Sequence, residues 1–146
     1  MKSIFFILGF FMIVQNGFCQ SLDTAMLKGN WQLLRYDAIE KIKQSPSYQN
    51  ASPQAKEGMD RKITRFLDNT FYHFTDGDSL YYIDLSEGAL VQRKAVYTLE
   101  DSVLTISESG KRQNKQAKIL ELQENKLVLT PLVNEEKGKM VFQRVE

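Results

Sequence analysis

At Thr70 the hydrophobic pattern of this chain changes period. Before it, apolar residues recur at helical spacing; after it, they alternate in short runs broken by turn signals. Thr70 to Thr75 and Ser79 to Leu85 flank Asp76-Gly77-Asp78, a hairpin turn by composition. Ser86-Glu87-Gly88 turns into a longer run from Ala89 to Thr98, and Glu100-Asp101 leads into Val103 to Ser107. A polar loop from Glu108 to Lys115 precedes Ala117 to Leu122, a tight turn at Glu124-Asn125, and Leu127 to Leu132. Asn134 to Gly138 makes the last turn, before Met140 to Val145. With an earlier segment at Asn30 to Tyr36, this predicts eight strands, most of them in an unbroken run of hairpins. Such a chain closes into an antiparallel up-and-down barrel, whose interior holds side chains or one small ligand. The alternative is an open antiparallel sheet or sandwich with helices across one face. No internal repeat or low-complexity tract is visible.

The first strand carries the only Trp, in Lys28-Gly29-Asn30-Trp31-Gln32-Leu33-Leu34. Gly29 lets the chain bend where a side chain would clash, and the indole is large enough to plug the narrow end of a barrel. A short helical turn from Ser21 to Lys28, with Ser21 as N-cap, leads into it. After the strand, Asp37 and Glu40 have capping-box spacing and open a short helix that ends before Pro46. Ser45 to Asn50 reads as a polar loop. Ser52-Pro53 starts a second helix, Ser at N-cap and Pro at N1. Its apolar stripe is Ala55, Met59, Ile63, Phe66 and Leu67, so it packs as a flank or lid on the sheet.

The first residues read as an export signal rather than as part of the fold. Lys2 precedes an apolar run, Ile4 to Val14, too short for the roughly 18 to 20 residues of a bilayer span but suited to a signal peptide. Cleavage after Cys19 removes residues 1–19 and leaves 20–146 as one domain, periplasmic or extracellular, with no membrane-spanning segment. Phe18 and Asn16 fit a lipobox poorly, which argues against a lipid anchor on Cys19. Without Cys19 the domain has neither disulfide nor thiol nucleophile, and its stability must come from its core. Removing Lys2 brings the 19 basic residues level with the 18 acidic ones. Their signs are interspersed, so nothing points to nucleic acid or to an anionic membrane.

Candidate chemistry is sparse. His73 is the only histidine; inside a barrel it could ligate haem or act as a base, but nothing at recognisable spacing partners it, and a surface hydrogen bond is the plainer reading. One histidine and no mature cysteine fall short of a zinc site. Asp76 and Asp78 lack the rest of a calcium loop, and Ser107, Ser109 and Gly110 lack the Gly-x-Ser-x-Gly of a nucleophile elbow. No catalytic residue, metal or cofactor is expected. Alternation places Trp31, Leu33 and Arg35 on one face of the first strand. Tyr72 with Phe74, Tyr81 with Ile83, and Val91 with Ala95 and Tyr97 follow on the next three. Leu104 with Ile106, Leu127 with Leu129, and Met140 with Phe142 complete the inward set. In the second strand Phe71 and His73 compete for that phase.

These residues resemble a family. Leu27-Lys28-Gly29-Asn30-Trp31 is similar to the Gly-x-Trp opening of lipocalins. Phe74 with Gly77, Tyr97-x-Leu99, Leu104-x-Ile106, Ile119-x-x-Leu122, Leu127-x-Leu129 and Phe142-x-Arg144 are similar to small secreted bacterial lipocalin-like domains. The resemblance implies an eight-stranded barrel that carries or senses a small hydrophobic molecule, and the sparse candidate chemistry adds the expectation that it does so without catalysis. The pocket-lining candidates are Leu33, Arg35, Tyr72, Phe74, Tyr81, Ile83, Val91, Tyr97, Leu104 and Phe142. It also implies a closed floor in which Arg144 lies over Trp31 beside Gly29, with ligand entry at the opposite end. The departure from the family is the pair of helices between the first two strands, where a simple lipocalin has a loop over the barrel mouth. Two other classes stay open: an interaction module with a filled barrel, and an enzyme at the barrel mouth acting on a lipid-like substrate.

Overall fold

Each strand of this protein pairs antiparallel with its successor, and the last pairs with the first. The computed structural model describes residues 22–86, 89–133 and 138–146. Its elements are α1 (Thr24–Leu27), β1 (Gly29–Tyr36), α2 (Asp37–Gln44), α3 (Pro46–Gln49), α4 (Pro53–Asn69), β2 (Phe71–Phe74), β3 (Ser79–Ser86), β4 (Ala89–Glu100), β5 (Val103–Glu108), β6 (Lys115–Leu122), β7 (Lys126–Pro131) and β8 (Met140–Val145). Together β1 to β8 form a closed barrel. Closure leaves no sheet edge for another chain to pair with, and it excludes the open-sheet alternative.

The seam between β1 and β8 sets the floor. Trp31 lies directly opposite Arg144 in its register, and Leu33 opposite Phe142. Trp31 is fully buried, and its Nε1 donates to the carbonyl of Leu27 at 2.7 Å, at the end of α1. That short helix is capped by Asp23, whose carboxylate accepts from the Ala25 N–H. The expected cap, Ser21, lies outside the described residues, as do the segment expected to direct export and Cys19.

The register of β1 slips between Leu33 and Arg35 at a bulge. A bulge adds one residue and reverses the alternation beyond it. Arg35 therefore leaves the inward set predicted for it: its side chain is 61% exposed and pairs with Asp37 at 2.8 Å. Tyr36 packs on the core instead.

The insertion after β1 contains three helices, since Pro46–Gln49 is helical and not a loop. Asp37 is the first residue of α2 and does not cap it; the N-cap is Tyr36, which gives no side-chain bond. The Asp37 carboxylate accepts from the Lys139 N–H at 3.0 Å as well as from Arg35, so it ties the helix start to the entry of β8. Ser52 does cap α4, accepting from the Ala55 N–H. At the other end of α4, Gln32 Nε2 donates to the carbonyls of Leu67 and Thr70 at 2.6 and 3.2 Å. Phe66 and Leu67 pack on the buried cluster. Long helix and first strand are thereby fastened side by side.

Candidate functional site

Below the middle of the barrel the interior is filled. Tyr72 stacks on Phe142 with ring centres 4.9 Å apart. It also meets Phe74 and Tyr82 edge to face at 6.1 and 5.9 Å, and Phe74 meets Tyr97 at 5.0 Å. With Leu33, Leu80, Leu104 and Leu127 these rings form one continuous core. The floor beneath is sealed by Arg144, whose guanidinium carbon lies 4.3 Å from the centre of the Trp31 ring. Its Nη1 donates to the carbonyl of Lys28, Nη2 to that of Met26 at 2.6 Å and Nε to that of Glu124 at 2.5 Å. Gly29 passes so close that a Cβ there would lie 2.6 Å from Arg144 Nη1, and its φ of +113° favours glycine independently.

The opposite end is open. A cleft of about 690 Å³ descends between β1, β2, β5, β6, β7 and β8. Its inner wall is Tyr36, Tyr72, Ile106, Ala117, Leu129 and Met140, and its lip is Lys111, Arg112, Gln113, Asn114, Lys115 and Gln116. No residue of α2, α3 or α4 is among those lining it. The inserted helices lie along β1 and leave this cleft uncovered. Burial pushes the Tyr36 phenol up from its ordinary range. A wider depression along α4, between Lys56, Asp60, Arg61, Arg65 and Asp68, is a shallow charged surface without an apolar wall.

Beside the cleft sits a buried carboxylate. The side chain of Glu108 is 7% exposed and pairs with Lys111 at 2.5 Å and with Lys115 at 3.1 Å. It also accepts from the Tyr82 hydroxyl, and Lys115 lies over the Tyr82 ring at 5.0 Å. Burial alone would push this carboxyl up. The hydrogen bonds from Lys111, Tyr82 and Lys115 together outweigh it and hold the pKa at about 2. Glu108 is an ionised anchor for the lip, with its oxygens already occupied.

The ten candidate pocket residues distribute unevenly. Tyr72 lines the cleft. Leu33, Phe74, Tyr97, Leu104 and Phe142 are buried in the filled core beneath it, and Val91 is half-buried in the same alternating set of β4 as Ala95 and Tyr97. Arg35 is outside, as described. Tyr81 and Ile83 are also outside, because β2 and β3 pair Tyr72 with Tyr82 and so turn Leu80 and Tyr82 inward. The run Leu80-Tyr81-Tyr82-Ile83 is apolar on both faces, and alternation there carries no phase. His73 stands on the outer face, its Nδ1 2.5 Å from Asn30 Oδ1, so it cannot ligate or act inside the barrel. Among the described residues no three His, Cys, Asp or Glu side chains gather as metal ligands, and no helix is long and apolar enough to cross a membrane.

A closed eight-stranded meander, with an arginine laid over a Gly-x-Trp tryptophan at one end and a cleft at the other, defines the calycin class of barrels. The chain belongs to the lipocalin-like domain family, whose model matches residues 27–129. The matched stretch stops short of β8, so Arg144 is placed by geometry alone. Among solved structures, a lipocalin-like protein from Bacteroides uniformis is 20% identical, covers 82% of this chain and 99% of its own, and superposes with a TM-score of 0.51. An uncharacterized protein from Bacteroides eggerthii is 19% identical, with coverage of 81% and 98% and a TM-score of 0.48. No curated protein matches this chain.

Proposed function

We propose that this protein is an exported, non-catalytic binding protein for a small hydrophobic molecule held in the cleft at the open end of its barrel. The observation that carries the reading is the cleft itself. Its volume of about 690 Å³ falls within the roughly 300–1,000 Å³ of small-molecule sites, and its wall is apolar with a few polar groups at the rim, as such sites are built. Family membership supports a barrel compatible with this role. Export rests on the apolar run Ile4 to Val14 and on cleavage after Cys19.

Native mass spectrometry of protein purified from its own source tests the reading. A retained small molecule, released on unfolding, is the expected result. A bare mass, together with no saturable uptake of an apolar fluorescent probe, would overturn it. The filled lower barrel favours a second reading, an interaction module that meets a protein partner through its outer face. That reading predicts the bare mass and a partner recovered by crosslinking in the native source.

A further inference from the structure

The run Leu80-Tyr81-Tyr82-Ile83 sends Leu80 and Tyr82 into the barrel, and its other two residues face out. Outward positions on β5 and β6 are polar, Thr105 and Ser107 on one and Gln116 and Lys118 on the other. On β2 and β3, by contrast, Phe71, His73 and Tyr81 set three half-buried rings side by side. Asn30, His73 and Tyr81 stand on one rung across β1, β2 and β3, and Phe71 and Gln92 stand on the next outward rung. These five residues line a depression of about 400 Å³ on the outer wall. His73 and Lys94 flank Tyr81 from β2 and β4. The imidazole centre is 6.2 Å and the ammonium 5.5 Å from the centre of its ring, so the phenol is held between them. We propose that this depression is a second binding site, independent of the cleft, and that its ligand is a pyranose sugar.

A pyranose has two unlike surfaces, a face of C–H bonds and a rim of neighbouring hydroxyls. The C–H face packs on the electron-rich face of an aromatic ring, which Phe71 and Tyr81 supply. Each rim hydroxyl both donates and accepts, and a side-chain amide matches a pair of them because it carries both functions. Asn30 on β1 and Gln92 on β4 belong to the outer two of four adjacent strands, so an amide stands on either side with the rings between. The contact between Asn30 and His73 fixes what each has left to offer. With Asn30 Oδ1 turned to it, His73 Nδ1 carries the proton; Asn30 keeps its two N–H donors and His73 keeps Nε2 as an acceptor. An alkyl chain would use the rings but strip water from these polar groups without replacing it. An extended peptide cannot add to the sheet here, because the closed barrel offers no edge.

Titration of the protein with maltotriose, mannotriose, galactotriose and chitotriose, followed by NMR, tests this, with sorbitol as a polyol that has no ring face. At least one trisaccharide should shift the side-chain amide signals of Asn30 and Gln92 saturably at about millimolar concentration, and sorbitol should not. Tyr81→Ala should weaken that binding about tenfold while leaving uptake of an apolar probe by the cleft unchanged. Gln92→Ala, at an exposed position, should weaken it as well without disturbing a packed ring, which separates a lost contact from a lost fold. Val96→Ala, 54% exposed on the same strand, should change neither. No saturable shift with any of the four sugars, an equal shift with sorbitol, or binding that survives both Tyr81→Ala and Gln92→Ala would overturn the site. Shifts confined to Tyr36, Ile106, Ala117 and Met140 would overturn it too, by placing the sugar in the cleft.

Discussion

Trp31 and Arg144 face each other across the seam that closes the barrel, and the guanidinium carbon lies over the indole, 4.3 Å from the ring centre. The same guanidinium donates to three carbonyls, of Met26, Lys28 and Glu124, from two separate turns of the floor. One side chain therefore holds together the entry to β1, the β6–β7 turn and the last strand.

Arg144→Lys keeps the charge and loses the fork. An ammonium cannot lie on the ring and reach three carbonyls at once, so about 1–3 kcal/mol of stability should go. Urea titration followed by Trp31 fluorescence measures it. Because the cleft is at the other end, affinity for any ligand bound there should be unchanged; a fold as stable as the parent would refute the floor's role.

Gly29→Ala tests the same joint from the backbone side. The φ of +113° is one that L residues rarely adopt, and the new methyl would push on Arg144. A loss of about 1–3 kcal/mol is expected, and combining it with Arg144→Lys should cost less than the sum, since both changes disturb one contact. Full additivity in the double-mutant cycle would show that the two are unconnected.

Glu108 makes stability depend on pH in a defined window. Its folded pKa of about 2 lies below the ordinary 4.5, so the unfolded chain binds a proton more readily than the folded one between these values. The contribution is fully present above about 4.5 and is lost as pH falls toward 2. Glu108→Gln should flatten that part of the acid-unfolding curve and cost about 1–2 kcal/mol at neutral pH, where Lys111 and Lys115 lose their shared partner. An unaltered pH profile in the variant would refute the assignment.

Ala117 lines the cleft, opposite Leu104 on β5 and Pro131 on β7. Ala117→Phe should fill it from the wall at little cost in stability, since the ring can extend into open space and not into packed core. Uptake of an apolar probe should fall at least about tenfold. Undiminished uptake with an unchanged melting curve would place the binding site elsewhere.

The barrel was legible because its signals repeat: each hairpin is marked by its own turn, and a misread boundary shifts one strand end without changing the order. Trp31 and Arg144 could be paired before any coordinates, since closure requires the first strand to meet the last. Which residues line the cleft was much harder to read. At Arg35 the alternation fails because a bulge between Leu33 and Arg35 adds a residue, and nothing in Leu33-Leu34-Arg35-Tyr36 marks it. At Tyr81 both faces of β3 are apolar, so only the pairing with β2 sets the phase. The pattern gives the inward face but not the height along the barrel, and height separates Leu104 in the packed core from Ile106 at the cleft. Lys111 and Arg112 sit in a segment that reads only as a polar loop. With Lys115 they make three cations within five residues, the available clue, and it acquires meaning only once that loop is seen at the mouth. Asp37 shows the converse, a good capping signal overridden by the Lys139 N–H and Arg35.

The seam joins parts of the chain that are made far apart in synthesis: Lys28 and Arg144 are 116 positions apart. Until β8 exists, β1 has one neighbour instead of two, and Trp31 has no lid. Most of the chain can form hairpins as it emerges, but the cylinder is completed only by β8, whose pairing with β1 closes one very long loop. A pairing this distant in sequence is the kind that slows folding relative to the hairpins around it. If the chain is exported as proposed, a closing step that waits for β8 keeps the barrel unclosed, and the segments before it threadable, until that strand has passed.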